Sequence, residues 1–204
     1  MSPLLANLYM NRFLKYWRIT ERGKVFRAQV VNDADDFVIL TSRHAAEARD
    51  WTRQVMQRLG LTLNETKTQL KEARRESFDF LGYTFGAQHW KDGRGYLGAS
   101  PSKTSVARLR EKVNAVLTPS NSEPWPEVRT HLNHLLRGWS GYFSYGTLGR
   151  AYQALDHHIA DRVRQFLGRR RQSPTGGTRT LSDEAVFGRL GVLQLRRVLR
   201  AARP

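Results

Sequence analysis

Apolar positions along this chain follow two rhythms, and the change between them organises it. Near the start, Leu4, Leu5, Leu8, Phe13 and Trp17 recur at near-helical spacing. Ser2-Pro3 ahead of them offers an N-cap followed by proline at the first helical position, so a helix is expected over 3–18, broken by Gly23. Two short runs rich in β-branched residues, 25–31 and 36–41, predict a hairpin. Ser42 stands where it would cap a second helix over about 43–59, with Ala48, Trp51, Val55, Met56 and Leu59 facing inward and Gly60 as the stop. Leu61-Thr62-Leu63 predicts a short strand, Asn64-Glu65-Thr66 a turn, and Thr68-Gln69-Leu70 a return to extended chain. Phe78–Phe85 alternates apolar and polar up to Gly86, which suggests another strand or hairpin arm.

From about residue 103 the period becomes helical throughout. Residues 93–102, rich in Gly, Pro and Ser, form the connection. Helices are expected over 103–117, 127–145 and 149–168, with a two-proline linker over 118–126. In the second of them Leu132, Leu136, Trp139, Tyr142 and Phe143 are expected to face inward, and in the third Tyr152, Leu155, Ile159, Val163 and Phe166. Arg169-Arg170-Arg171 suits the negative end of a helix dipole, Ser173–Thr180 is a loop, and 182–200 holds another turn or two of basic helix. The fold class is α+β: a small antiparallel sheet with packed helices, then an all-helical region.

Charge changes the picture more than composition does. The 204 residues carry 34 Lys/Arg and 18 Asp/Glu, a net +16, which favours polyanionic partners, nucleic acid first. Residues 1–102 contribute +5 and residues 103–204 contribute +11. Cysteine is absent, so disulfides and Cys-based zinc sites are excluded, and a reducing, cytoplasmic setting is expected. No run approaches the ~18 apolar residues of a membrane span, and no membrane partner is expected. His157-His158 have no third ligand at helical spacing, which argues against a metal there.

Against that basic background, Asp35 and Asp36 stand out, with Asp33 two residues before. They lie between apolar runs, at the tip of the expected hairpin. A solvated turn is the ordinary explanation of such a pair. The alternative is a cation site: successive side chains on extended backbone point to opposite sides, so one acid can aim at a site while the other supports it. Carboxylates on a rigid hairpin are one way to hold Mg²⁺ for phosphoryl transfer.

The order of several short motifs then carries a resemblance. Ser2–Tyr9, Val31–Leu40, Leu59–Thr68 with its Lys67-Thr68, Phe78–Phe85, and Leu132–Tyr145 with Arg137-Gly138-Trp139 and Tyr142-Phe143 are collinear. Together they resemble the group II intron reverse transcriptase/maturases. The resemblance implies a partial right-hand polymerase: the C-terminal part of a palm over 1–98, a connection and first thumb helix over 99–122, and a maturase-specific RNA-binding region over 123–204. It implies RNA-directed DNA polymerisation with intron RNA binding and splicing assistance. Asp35 and Asp36 would be the catalytic Mg²⁺ ligands, and Gly82 and Tyr83 would lie in the primer grip. Lys67, Lys103, Arg108, Arg110 and Lys112 would contact nucleic acid, as would Arg137 and Tyr145.

Two departures qualify what the resemblance implies. Asp33 replaces the family's Tyr in the catalytic box, and no counterpart of the first catalytic aspartate or the fingers precedes Ser2. The chain alone is therefore expected to polymerise poorly or not at all. The expected partners are structured intron RNA, an RNA template–DNA primer duplex, and a fingers-containing chain if the enzyme is split. The competing expectation is a non-catalytic RNA-binding module. Bland alternatives stay open residue by residue: the basic residues of 103–112 as a solvated helix face, and Trp139 and Tyr142 as core.

Overall fold

The computed structural model describes residues 3–89, 92–170 and 181–201. The expectations for Ser2, Arg171 and the loop Ser173–Thr180 fall outside them. The chain divides into two compact units, Met1–Glu72 and Ala73–Pro204. Among the described residues no helix is long and apolar enough to cross a membrane.

Unit 1 opens with helix α1, Pro3–Ile19, followed by the single turn α2, Arg22–Val25. The break between them falls at Glu21, in a left-handed conformation with φ 50°, rather than at Gly23, which lies inside α2. The antiparallel pair β1 (Ala28–Asp33) and β2 (Asp36–Thr41) then forms, and helix α3 runs Ala45–Arg58. Aromatic rings build the core: Phe13 and Trp17 of α1 meet Trp51 of α3 at 6.0 and 5.6 Å, and Phe37 of β2 lies 5.5 Å from Phe13. Arg22 sits over Phe26 and Trp51 at 5.5 and 5.4 Å, where ring faces stabilise a guanidinium. Leu4, Leu5 and Leu8 are exposed, at 78, 48 and 53%.

Two details of unit 1 depart from expectation. His44, not Ser42, precedes α3, and no side chain caps it. Leu61-Thr62-Leu63 is no strand, because no strand among the described residues pairs with it; Leu61 and Leu63 simply pack on the aromatic core.

Unit 2 begins with a three-stranded antiparallel sheet in the order β3 (Phe78–Phe80), β4 (Tyr83–His89), β5 (Gly95–Pro101). β5 replaces the expected Gly/Pro/Ser connection. Its two glycines and terminal proline hide a strand that only its partner defines, since a Cβ on Gly98 would collide with the Gln88 side chain of β4. Helices α4 (Lys103–Val116), α5 (Trp125–Tyr142) and α6 (Gly149–Arg169) follow. A π-helical turn, Ala185–Arg189, and α7, Leu195–Ala201, close the described chain. Leu109, Val113, Leu132, Leu136, Leu155, Ile159 and Val163 share one core, as the helical periodicity indicates.

Two buried polar groups tie this core together. Asp156 of α6 is 1% exposed; it accepts from the Leu195 and Arg196 backbone N–H groups at 2.8 and 3.2 Å and pairs with the Arg196 guanidinium at 3.0 Å. It caps α7 from inside, while burial pushes its carboxyl up and those partners pull it back. Tyr152 donates its hydroxyl to the Phe143 carbonyl at 2.7 Å. Burial, with the fields of Tyr83 and Asp156 adding to it, pushes this phenol up to about 12. The unfolded phenol ionises near pH 10, so stability is fully present below pH 10 and falls as pH rises from there towards 12. Urea unfolding measured from pH 8 to 11 should show an alkaline loss of stability of about 1.4 kcal/mol, and Tyr152→Phe should flatten it.

Candidate nucleic-acid interface

The acidic hairpin follows from its strands. Asp33 and Asp36 are direct cross-strand partners, and Ala34-Asp35 form the two-residue turn between them. Ala34 takes φ 51°, a region that suits glycine better than alanine, so the turn is held by its strands and not by its own preference. Asp33, Asp35 and Asp36 are all exposed, and among the described residues none forms an ion pair with them. Like charges placed directly opposite on a hairpin repel, so Asp33 and Asp36 would gain from a cation.

Whether these acids make a metal site is a matter of number and placement. Among the described residues no group of three or more His, Cys, Asp or Glu side chains is placed to hold an ion. Asp35 and Asp36 are consecutive, one in the turn and one starting β2, and two carboxylates are fewer than a two-metal cage uses. Two-metal chemistry clamps the attacking and departing oxygens between ions fixed by several carboxylates. The acids present do not by themselves fit that requirement. Lys67, also in unit 1, is exposed in the Asn64–Thr68 turn, where its N–H donates to the Asn64 carbonyl at 3.0 Å.

Unit 2 brings more of the expected residues together. The β3–β4 turn is Leu81-Gly82, and both residues have positive φ, 49° and 74°, as a type I′ hairpin turn demands. Gly82 is needed there twice over, since a Cβ would lie 2.9 Å from the Ser105 hydroxyl and 3.2 Å from the Phe143 ring. Its carbonyl accepts from the Ser102 N–H at 2.8 Å and from the Ser105 hydroxyl at 2.9 Å. Ser102 is also the N-cap of α4, accepting from the Ser105 N–H at 3.1 Å. The turn therefore rests on the start of α4, and Lys103 is the first residue of that helix.

Tyr83 leaves the same turn and reaches the end of α5. Its hydroxyl donates to the Tyr142 carbonyl at 2.9 Å, and the Tyr142 hydroxyl donates back to the Leu81 carbonyl at 2.9 Å. Burial raises the Tyr83 phenol, and the Tyr145 N–H facing it acts in the opposite direction. Tyr142 is 58% exposed, contrary to the inward placement expected for it. The reason is helical phase: Phe143 follows Leu136 by two turns and takes the buried position, leaving Tyr142 about 100° to one side. Trp139 does pack inward, 4.6 Å from Phe143 and 5.6 Å from Tyr152. Arg137 and Tyr145 are exposed, the latter at 76%.

The basic residues of α4 divide into two rows. At about 100° per residue, Lys103 and Arg110 fall on one flank of the buried stripe of Ser105, Leu109 and Val113, and Arg108 and Lys112 on the other. His158 of α6 lies beside α4, 3.1 Å from the Asn114 amide oxygen; burial, and then the positive field of Arg110, lowers its pKa. Sequence reasoning missed the Tyr83–Tyr142 clasp, because hydrogen bonds between residues 59 and 61 positions apart leave no local trace.

An acid-tipped hairpin in one unit and a strongly basic unit with exposed aromatics in the other suit a polyanionic partner. Comparison with known families makes this specific. Residues 1–85 match the model of the reverse transcriptases (RNA-dependent DNA polymerases), and residues 106–182 match that of the group II intron maturase-specific domain. With both matches in this order on one chain, the protein belongs to the group II intron reverse transcriptase/maturase family. No curated protein matches it. The two domains imply binding to nucleic acid, intron RNA in particular.

Proposed function

We propose that this chain is an RNA-binding protein of the group II intron reverse transcriptase/maturase type, in which unit 2 grips structured RNA or a template–primer duplex. The observation that supports it is the charge of unit 2: 22 Lys/Arg against 10 Asp/Glu over residues 73–204, a net +12. The expected palm, thumb and maturase segments would then occupy 1–98, 99–122 and 123–204, with the primer-grip strands joined to the maturase helices by the Tyr83–Tyr142 clasp. Reverse transcription uses Mg²⁺, and Asp35 and Asp36 are the acids of this chain that would take part, with Asp33 close by. Because they do not form a cage alone, polymerisation needs further carboxylates in the working complex.

That acid count favours a second reading, a maturase-type RNA-binding module without chemistry of its own. Primer extension separates the two. The intact chain, given Mg²⁺, an RNA template and a DNA primer, should bind the duplex and extend it weakly or not at all. Extension that disappears in Asp35→Asn would establish the polymerase reading. Tight binding without extension, even after a fingers-containing chain is added, would establish the module. Extension recovered by that addition would establish a split enzyme.

A further inference from the structure

Tyr142 and Tyr145 are the most exposed aromatic side chains among the described residues of unit 2, at 58 and 76%. Exposed tyrosines are ordinary on loops, where their rings swing freely. These two stand on a scaffold fastened from several directions. The Tyr142 ring is tied at its far end, by its hydroxyl to the Leu81 carbonyl, and braced edge-on by Phe143 at 4.8 Å. Its backbone carbonyl is held by the Tyr83 hydroxyl, which the Tyr145 N–H also faces. One residue further on, Gly146 takes φ 84° and packs so tightly on Ala99 of β5 that a Cβ would lie 2.2 Å from the Ala99 carbonyl oxygen. Thr147 then donates its N–H to that same oxygen at 2.7 Å and its hydroxyl to Gln88 at 2.5 Å. The backbone that presents both rings is therefore fixed before anything binds.

The chemistry on offer is narrow. The Tyr142 hydroxyl is spent inside the protein, so its ring presents an aromatic surface and not a polar tip. Leu81, 37% exposed, extends the apolar surface, and Lys103 begins α4 immediately after Ser102, whose N–H bonds Gly82 of the same turn. Flat aromatic groups joined by negative charges complement rings set in a unit of net charge +12. A paired duplex keeps its bases stacked inside; unpaired nucleotides present free π-faces. The Tyr142 ring, already held in place, and Tyr145, on a fixed backbone, lose less freedom on stacking than side chains on a loose loop would, which favours binding.

We propose that Tyr142 and Tyr145 form a pre-ordered stacking platform for unpaired nucleotides of RNA, beside the Leu81-Gly82 turn. This rests on the RNA-binding reading above and specifies what that interface recognises: single-stranded segments next to structure, and not duplex alone. A protein surface is the competing occupant of such a patch, and the test includes it.

The probes are two RNA hairpins with equal numbers of phosphates, one blunt and one with a single-stranded tail carrying 2-aminopurine. They are titrated with the full chain, and with its Tyr142→Leu, Tyr145→Leu and doubly substituted forms. Stacking on aromatic side chains is worth about 5- to 150-fold per base. The double variant should bind the tailed hairpin weaker by that factor or more, with a loss about fivefold or more larger than for the blunt one. The wild-type quench of 2-aminopurine should vanish with it. Tyr145→Phe, which keeps the ring, should retain both binding and quench.

Equal losses on both hairpins would show a merely structural role and overturn the platform, as would wild-type affinity and quench in the double variant. So would a wild-type dimer in sedimentation that the substitutions dissolve, since the face would then belong to a protein contact. If the wild type binds neither hairpin, the RNA-binding reading itself has failed, a separate outcome. Tyr145→Leu alone keeps the test open should Tyr142→Leu fail to fold, because Tyr145 is exposed and its loss opens no core.

Discussion

Gly146→Ala should destabilise unit 2 by about 3–5 kcal/mol, the largest effect expected of any single methyl group added to this chain. Two penalties combine. At φ 84° an L-side chain is strained whatever the space, by roughly 1–2 kcal/mol. The new Cβ would also lie 2.2 Å from the Ala99 carbonyl oxygen, far inside contact distance. The loop cannot back away cheaply, because that oxygen accepts the Thr147 N–H at 2.7 Å, and moving it breaks the bond. The Tyr152 and Tyr83 hydroxyl bonds to 142–143 lie within four residues and would loosen as well. Urea denaturation followed by tryptophan fluorescence measures this directly. Trp125 and Trp139 report on unit 2, Trp17 and Trp51 on unit 1, so a Trp125/Trp139-only background would show the lower midpoint in unit 2. An alanine variant within ~0.5 kcal/mol of the wild type would mean that the 143–148 segment does not pack as described.

The second large effect concerns RNA. Replacing Lys103, Arg108, Arg110 and Lys112 together by Gln should weaken binding to a structured RNA about 100-fold or more at low salt. It should also flatten the dependence of log affinity on log salt by roughly 2–4, because each neutralised phosphate contributes about 0.9 to the slope on a duplex. Geometry sharpens the expectation. Lys103 and Arg110 lie on one flank of α4, Arg108 and Lys112 on the other, so a single duplex tracking the helix engages one pair more than the other. The two double variants should therefore differ, one accounting for most of the loss. Equal, small effects from both would reduce the basic residues of α4 to a solvated surface. Neither double variant should lower the urea midpoint by more than ~0.5 kcal/mol, since Lys103, Arg108 and Lys112 are exposed and Arg110 is only half-buried.

Much of this architecture was legible because it is periodic. The inner faces of α3 and α6, and of α5 as far as Trp139, fall where apolar spacing puts them, and Pro3 and Gly60 mark real boundaries; the hairpin expected over 25–31 and 36–41 forms with strands 28–33 and 36–41, because Val25 ends the turn α2. What escaped has a common cause: it depends on partners distant in the chain. β5 carries two glycines and a proline and becomes a strand only because β4 supplies the other half. Leu61–Leu63 has strand composition and no partner. Tyr142 belongs by composition to the inner stripe of α5, yet a phase difference of one residue turns it outward and its hydroxyl finds Leu81 instead.

The candidate site divides in the same way. The sequence singled out Asp35 and Asp36, and the hairpin puts them at its tip with no counter-ion among the described residues. Sequence order alone could not show that no further acid or histidine among the described residues joins them in a group of three, because that depends on the fold. Gly82 and Tyr83 were named from motif resemblance; the physical reasons for them, a type I′ turn seated on the start of α4 and a hydroxyl clasp on α5, needed coordinates. The division at Glu72–Ala73 was likewise unmarked in the sequence, since it depends on residues 78–101 packing with the helices that follow them.

The most direct test of the central claim, that a basic helical unit in this chain grips RNA, is the affinity of the intact protein for a structured RNA measured from 50 to 200 mM salt. With six or more phosphates neutralised, affinity should fall by about 10³-fold or more across that range. No measurable binding at 50 mM, or a fall of less than about tenfold, would contradict it.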